Sequence, residues 1–173
     1  KENYGKVFVS MGQPISINRQ QLAATDQPDF FEQVHRISQA IQTEVNQSAF
    51  LSPLNFIATA LLGSEHNAML ESQLLQQIDL LQAISQAVVS PKPPPFNTFS
   101  HQHALAHGQK LNLLQCKQHN LGNIYYLDQS AQISSTFLRN NSLHVFILPS
   151  LIANVLLNKP KASMRRITQV CLR

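Results

Sequence analysis

Pro91-Lys92-Pro93-Pro94-Pro95 is the feature that most restricts what this chain folds into. Proline has no backbone N–H and its ring clashes with the preceding turn, so no helix or central strand runs through these five residues. They predict a stiff, extended connector between two helical halves. In the first half, Asp29 with Glu32 three residues on predicts a capping box, and Phe30, Val34, Ile37, Ile41 and Val45 then mark one face of a helix. Ser52-Pro53 predicts a second start, with Ser at the N-cap and Pro at the first helical position. Leu54, Ile57, Leu61 and Leu62 form its apolar stripe, and Gly63 ends it. A third helix runs from about Leu70 to Val88, with Leu74, Ile78, Leu81 and Ile84 inward.

Ahead of these helices, Lys6 to Ser10 is apolar and β-branched and reads as one strand, which Ile15 and Ile17 extend beyond Gly12-Gln13-Pro14. One strand does not stand alone, so its sheet is expected to belong to polypeptide outside this sequence. After the connector comes a short helix, about Ser100 to Gln109. Gly122 then introduces Ile124-Tyr125-Tyr126-Leu127, a turn at Asp128-Gln129-Ser130, and a second strand from Ala131 to Phe137, which together predict a β-hairpin. Asn140 or Asn141 is placed to cap a last long helix through Leu157, which Pro149 is expected to kink or break. The fold class is therefore α+β, mostly helical: one strand left over from another sheet, then a helical region with a β-hairpin. Residues 1–27 are expected to close one domain, 28–90 to form a helical region, 91–97 the connector, and 98–173 the helix, hairpin and C-terminal helices.

Charge is unevenly placed. All nine acids lie at or before Asp128, and after it stand Arg139, Lys159, Lys161, Arg165, Arg166 and Arg173. A +6 tail on a −2 body points to an anionic partner: phospholipid headgroups, nucleic acid or a phosphorylated ligand. A solvated basic face explains it equally well. Cys116 and Cys171 match no metal or redox spacing and fit reduced thiols. The most apolar run, Leu143 to Leu157, contains His144, Pro149, Ser150 and Asn154 and falls short of the about 20 residues that cross a bilayer. It is expected to pack in a core or lie at an interface. The chain opens at Lys1 and stops in a basic segment at Arg173, as a fragment would.

The chemistry-bearing motifs are few. Acyl transfer to an alcohol needs a base at the attacking hydroxyl, supplied in glycerolipid acyltransferases as His-x4-Asp, with the carboxylate orienting the imidazole. Of the seven histidines only His66 finds a carboxylate five residues on, at Glu71, and no acyltransferase context surrounds it. His103 and His107 are four apart, with His101 near, yet no Cys, Asp or Glu nearby completes a zinc site. There is no Gly-x-Ser-x-Gly, phosphate-cradling loop or dinucleotide fingerprint. The order helix, helix, hairpin across residues 70 to 137 has the outline of a winged-helix unit, which raises nucleic-acid or protein binding. The presumed recognition helix carries histidines and no Arg, and nucleic acid is not the expected partner.

Four segments in register carry a resemblance. Gly5-Lys6-Val7-Phe8-Val9-Ser10-Met11-Gly12-Gln13-Pro14-Ile15 is one, with Met11 in place of an aromatic and Gln13 in place of an acid. Ser52-Pro53-Leu54-Asn55 leading to Ala60-Leu61-Leu62 is the second, and Gln77-Ile78-Asp79-Leu80 the third. The fourth runs Leu121-Gly122-Asn123-Ile124, Phe137-Leu138-Arg139-Asn140-Asn141-Ser142-Leu143-His144 and Leu148-Pro149-Ser150-Leu151-Ile152-Ala153. From Gly5 to about Lys159 the chain resembles the part that follows the acyltransferase blocks in bacterial membrane-bound glycerol-3-phosphate acyltransferases of the PlsB type. The resemblance implies a parent that moves a fatty acyl group from acyl carrier protein or coenzyme A to the 1-hydroxyl of sn-glycerol 3-phosphate, early in phospholipid synthesis. It implies the cytoplasmic face of the inner membrane, an anionic membrane surface as partner, and no metal or other cofactor. The family's His-x4-Asp lies before Lys1, so no catalytic residue carries over, and the chain alone is expected to be inactive. Arg139, Asn140, Asn141 and His144 match the family pattern and are the candidate substrate-binding residues, with structural bracing as their leading role.

Overall fold

The computed structural model describes residues 9, 11–17, 28–47, 50–88, 99–161 and 163–171. Of the strand expected at Lys6 to Ser10 only Val9 is described, and it carries no strand; the rest of it, the proline connector and the Asp29 side chain of the expected capping box lie outside these residues. Residues 11–17 carry no strand, so Ile15 and Ile17 do not extend one.

Helix α1 spans Pro28–Gln47, starting one residue ahead of the expected cap. Its apolar face is not absorbed into the core: Val34, Ile41 and Val45 are exposed. Helix α2, Pro53–Leu62, is the opposite case. Leu54, Asn55, Phe56, Ile57, Ala58, Ala60 and Leu61 are all buried, as a helix apolar nearly all round must be. Burying each large apolar side chain there stabilises the fold by about 1.5–3 kcal/mol. Phe56 stacks tilted on Phe99 and edge-on to Phe146, with ring centroids 5.7 and 6.1 Å away. A single turn of 3-10 helix, Glu65–Asn67, leads into strand β1, Ala68–Leu70, and helix α3, Glu71–Ala87. Leu74 and Ile78 of α3 are fully buried, and Leu81 and Ile84 pack against the core as the spacing predicts.

After the connector come helix α4, His101–Lys110, and the hairpin of β2, Gln115–His119, with β3, Gly122–Tyr126. The hairpin lies earlier than expected. Gly122 takes φ +117°, a conformation that costs a residue without Cβ little, and closes the two-residue loop Asn120-Leu121. β3 pairs antiparallel with both neighbours, giving the order β1-β3-β2, with Met69 and Cys116 on either side of Tyr125. The expected second strand, Ala131 to Phe137, is helix. Asp128 Oδ1 accepts from the Ala131 N–H at 2.8 Å, which caps helix α5, Gln129–Asn158, well before Asn140 or Asn141. The helix runs through Pro149 without a break. Helix α6, Met164–Cys171, follows, and its Ile167 is buried. The fold is thus mostly helical α+β around one small antiparallel sheet. The succession α2, β1, α3, α4, β2, β3 keeps the winged-helix outline.

α5 carries a composite role. Ala131, Ser135, Ser142, Val145 and Phe146 are buried on one side of it. It is the one helix among the described residues long and apolar enough to cross a membrane, yet its first half is tied into the core by that buried side. Beyond Phe146 no residue of α5 is buried.

Candidate functional site

Two of the resembling segments meet in space. Asn55, buried to 4% exposure at the third helical position of α2, turns its Oδ1 back to accept from the Ser52 N–H at 2.9 Å and from the Ser52 Oγ–H at 2.7 Å. Its Nδ2 donates across the core to the Leu138 carbonyl of α5 at 2.6 Å. Eighty-three residues of sequence are bridged by that one amide. Asn suits the position because it offers donor and acceptor on one short side chain. Sequence reasoning placed Asn55 in a resembling segment without assigning this bridge; the signal was an Asn three residues after a Ser N-cap.

Immediately beyond Leu138 stand the four candidates. They do not lie between a hairpin and a helix start, as expected; all four are inside α5, because Asp128 starts the helix earlier. Arg139 is half-buried, and its Nη2 donates to Asn140 Oδ1 at 3.3 Å, while its Nε is sealed from solvent without a partner. Asn140 and Asn141 are exposed. Ser142, fully buried, donates its hydroxyl to the Arg139 carbonyl at 2.8 Å. His144 is half-buried, and its Nε2 is likewise sealed and unpartnered. Burial holds its pKa below the ordinary value, against the backbone carbonyls of Asn46 and Asn141, which favour the charged ring. The structure brings Arg139 and Asn140 into contact and places His144 one turn on, facing the end of α1.

The first resembling segment reaches α1. The Gln13 N–H donates to Glu44 Oε2 of α1 at 2.8 Å, and a Cβ on Gly12 would stand 2.8 Å from that same oxygen. A side chain at position 12 would therefore displace the contact.

His66 and Glu71, the pair at the spacing of the acyl-transfer motif, are not brought together. His66 lies 3.8 Å from Glu65, both well exposed, whereas Glu71 Oε2 accepts from Asn123 Nδ2 at 2.8 Å. The one His-carboxylate pair at the searched spacing is therefore not a dyad. His66 and Asn67 both take left-handed backbone (φ 57° and 53°) beside an open groove of about 680 Å³ lined by Ser64, Glu65, Met69, Gln73 and Gln77. His101 Nε2 is 2.7 Å from Asp79 Oδ1, and the His103 and His107 rings stack at 6.1 Å. Among the described residues no three His, Cys, Asp or Glu are grouped to hold a metal ion. Cys116 is a free, exposed thiol. Burial, with Glu71 and Cys116 adding, pushes the Tyr125 hydroxyl up to about 12.

No solved structure matches the chain. It is 29% identical to the glycerol-3-phosphate acyltransferase of Pseudomonas paraeruginosa (strain DSM 24068 / PA7), over 96% of this chain and 22% of that protein. It is 29% identical to that of Xylella fastidiosa (strain 9a5c), over 99% of this chain and 21% of that protein. The corresponding protein of Pseudomonas putida (strain GB-1) is 28% identical, over 98% and 22%. The chain thus spans about a fifth of the length of the curated relatives it matches. All of it, residues 1–173, matches the family described as the glycerol-3-phosphate acyltransferase C-terminal region, and the chain belongs to that family.

Proposed function

We propose that this region is the non-catalytic C-terminal portion of an enzyme that transfers a fatty acyl group from acyl carrier protein or coenzyme A to the 1-hydroxyl of sn-glycerol 3-phosphate. The observation that carries the reading is the family match over the whole chain together with the absence of His-x4-Asp from it. Without that base and its carboxylate the hydroxyl is not deprotonated as it attacks, so the region by itself is inactive. Its work is mechanical. Arg139, Asn140, Asn141 and His144 brace α5 and the surface on which the catalytic portion packs, rather than holding substrate. The free-standing winged-helix-like module is the runner-up. Against it, His101 of α4 is engaged by Asp79, and α4 carries no Arg to reach phosphate or base edges.

The region also holds the enzyme at the anionic, cytoplasmic face of the inner membrane. Beyond Leu151, α5 runs on to Asn158 for about 10 Å at about 1.5 Å per residue, short of the about 30 Å hydrocarbon core, so this end lies at the interface. Leu156, Leu157 and the exposed Lys159, Lys161 and Arg165 supply an apolar end with cations around it. Each cation near anionic headgroups contributes about 1 kcal/mol. Liposome sedimentation checks this: binding to phosphatidylglycerol vesicles is expected to fall in high salt and in Lys159→Gln/Lys161→Gln, and equal binding to neutral vesicles would contradict it.

The experiment for the main reading is a region swap. The Pseudomonas paraeruginosa enzyme, with its matching C-terminal fifth replaced by this chain, is expected to keep acyl transfer to glycerol 3-phosphate. A soluble, folded chimaera without activity would count against the reading.

A further inference from the structure

Resting on that reading, the outer face of α5 names what the region docks. Ile133, Phe137, Asn140, His144, Ile147 and Leu151 follow one another at alternating steps of four and three, the spacing of a seam that a second helix fills. At 3.6 residues per turn these six share one stripe, opposite the side on which Ala131, Ser135 and Ser142 are buried. The stripe is open: Ile133 is 66% exposed, Phe137 70%, Ile147 51% and Leu151 40%. It ends where Asn158 Nδ2 closes on Asn154 at 2.9 Å. We propose that this seam receives an α-helix from the polypeptide that makes up the rest of the relatives' length, with Asn140 and His144 setting its register.

Three observations choose that occupant. The relatives carry more than three quarters of their length outside the matched region, which supplies the partner within one polypeptide. Two hydrogen-bonding side chains stand in the middle of the apolar stripe, where hydrocarbon would leave them unsatisfied. In a helix-helix seam the same residues exclude slipped pairings at a cost in stability. Finally, α1 repeats the pattern with Phe30, Val34, Ile37 and Ile41, and it also leaves Val34 and Ile41 exposed. Its last turn comes up to His144, so the two open stripes border one docking site.

The test places a benzophenone amino acid at Phe137, at Ile147 and, as an exposed control off the stripe, at Ser134, in the full-length enzyme in its membrane. Illumination is expected to give an intramolecular adduct from 137 and 147 to one upstream helical peptide, and none from 134. Asn140→Leu is expected to keep the adduct but spread it over peptides a heptad apart. Adducts to phospholipid, a product at twice the enzyme's mass, or no adduct above the control would each overturn the proposal. If the substitution at Phe137 prevents folding, Ile147 alone reports. Activity of the same preparation separates the two claims: an active enzyme without the adduct overturns only the seam, and an inactive one with it only the catalytic reading.

Discussion

Replacing Asn55 by alanine removes three hydrogen bonds at once: two that close the entrance of α2 on Ser52 and one that joins α2 to Leu138 of α5. A typical internal hydrogen bond contributes a net 0.5–1.5 kcal/mol, roughly. The Ser52 groups are only part-buried and recover some water, and the Leu138 carbonyl lies within a helix whose own N–H groups supply it a donor. The expected loss is therefore about 2–4 kcal/mol. With a urea dependence of about 1–3 kcal/mol per molar, the unfolding midpoint falls by on the order of 1–2 M. Asn55→Asp separates donor from acceptor. It keeps an oxygen for Ser52 but turns a carboxylate oxygen on the Leu138 carbonyl, where an N–H now stands at 2.6 Å. Only the protonated acid restores the donor, so its folded pKa rises above the ordinary value near 3.9. A raised folded pKa stabilises below the unfolded value and is lost as pH rises, so the variant recovers stability toward acid while the parent chain does not gain through this position. Chemical unfolding followed by circular dichroism reads both. A loss below about 0.5 kcal/mol for the alanine variant, or an aspartate variant as stable as the parent at neutral pH, would refute the bridging argument.

Arg139→Ala in the full enzyme is expected to lower activity through lost stability, with the Michaelis constant for glycerol phosphate unchanged; unaltered folding with a raised constant would make Arg139 a substrate contact. His144, held below the ordinary histidine value near 6.5, stays neutral in the fold while unfolded chains take up a proton. Its contribution is complete above about 6.5 and is lost as pH falls toward the lower folded value, so His144→Gln flattens the acid side of the stability profile. Burial, with Glu71 and Cys116 adding, holds the Tyr125 hydroxyl up at about 12 against an ordinary value near 10. Unfolded chains lose that proton first, so stability drops between about pH 10 and 12, and Tyr125→Phe removes that tyrosine's phenolate absorbance step.

The helices that line the core were legible because their apolar residues recur at the period of a helix: Leu74 and Ile78 are buried where the spacing puts them. The hairpin was legible in kind but not in place. Gln115-Cys116-Lys117-Gln118-His119 has no β-branched or aromatic residue, and it is a strand because β3 supplies its hydrogen bonds. Ala131 to Phe137, with Ile133, Thr136 and Phe137, has strand-forming residues, yet one carboxylate at Asp128 commits the segment to helix. Asn140 and Asn141 resemble caps because free Asn favours them, a local preference that thirty residues of continuous helix override. The face of α1 was legible as a stripe, but whether a stripe is covered is decided by what packs on it. The Asn55 bridge depends on contact over 83 positions, which no local pattern encodes.

Under the proposed function, acyl transfer belongs to the whole enzyme and this region serves it without supplying chemistry. The direct measurement incubates the purified chain with labelled acyl-coenzyme A and sn-glycerol 3-phosphate, alone and joined to the catalytic portion of the Pseudomonas paraeruginosa relative. No lysophosphatidate is expected from the chain alone, and product is expected from the joined protein. Turnover by the chain alone would contradict that reading, because acyl transfer would then proceed without the His-x4-Asp pair, which this sequence lacks.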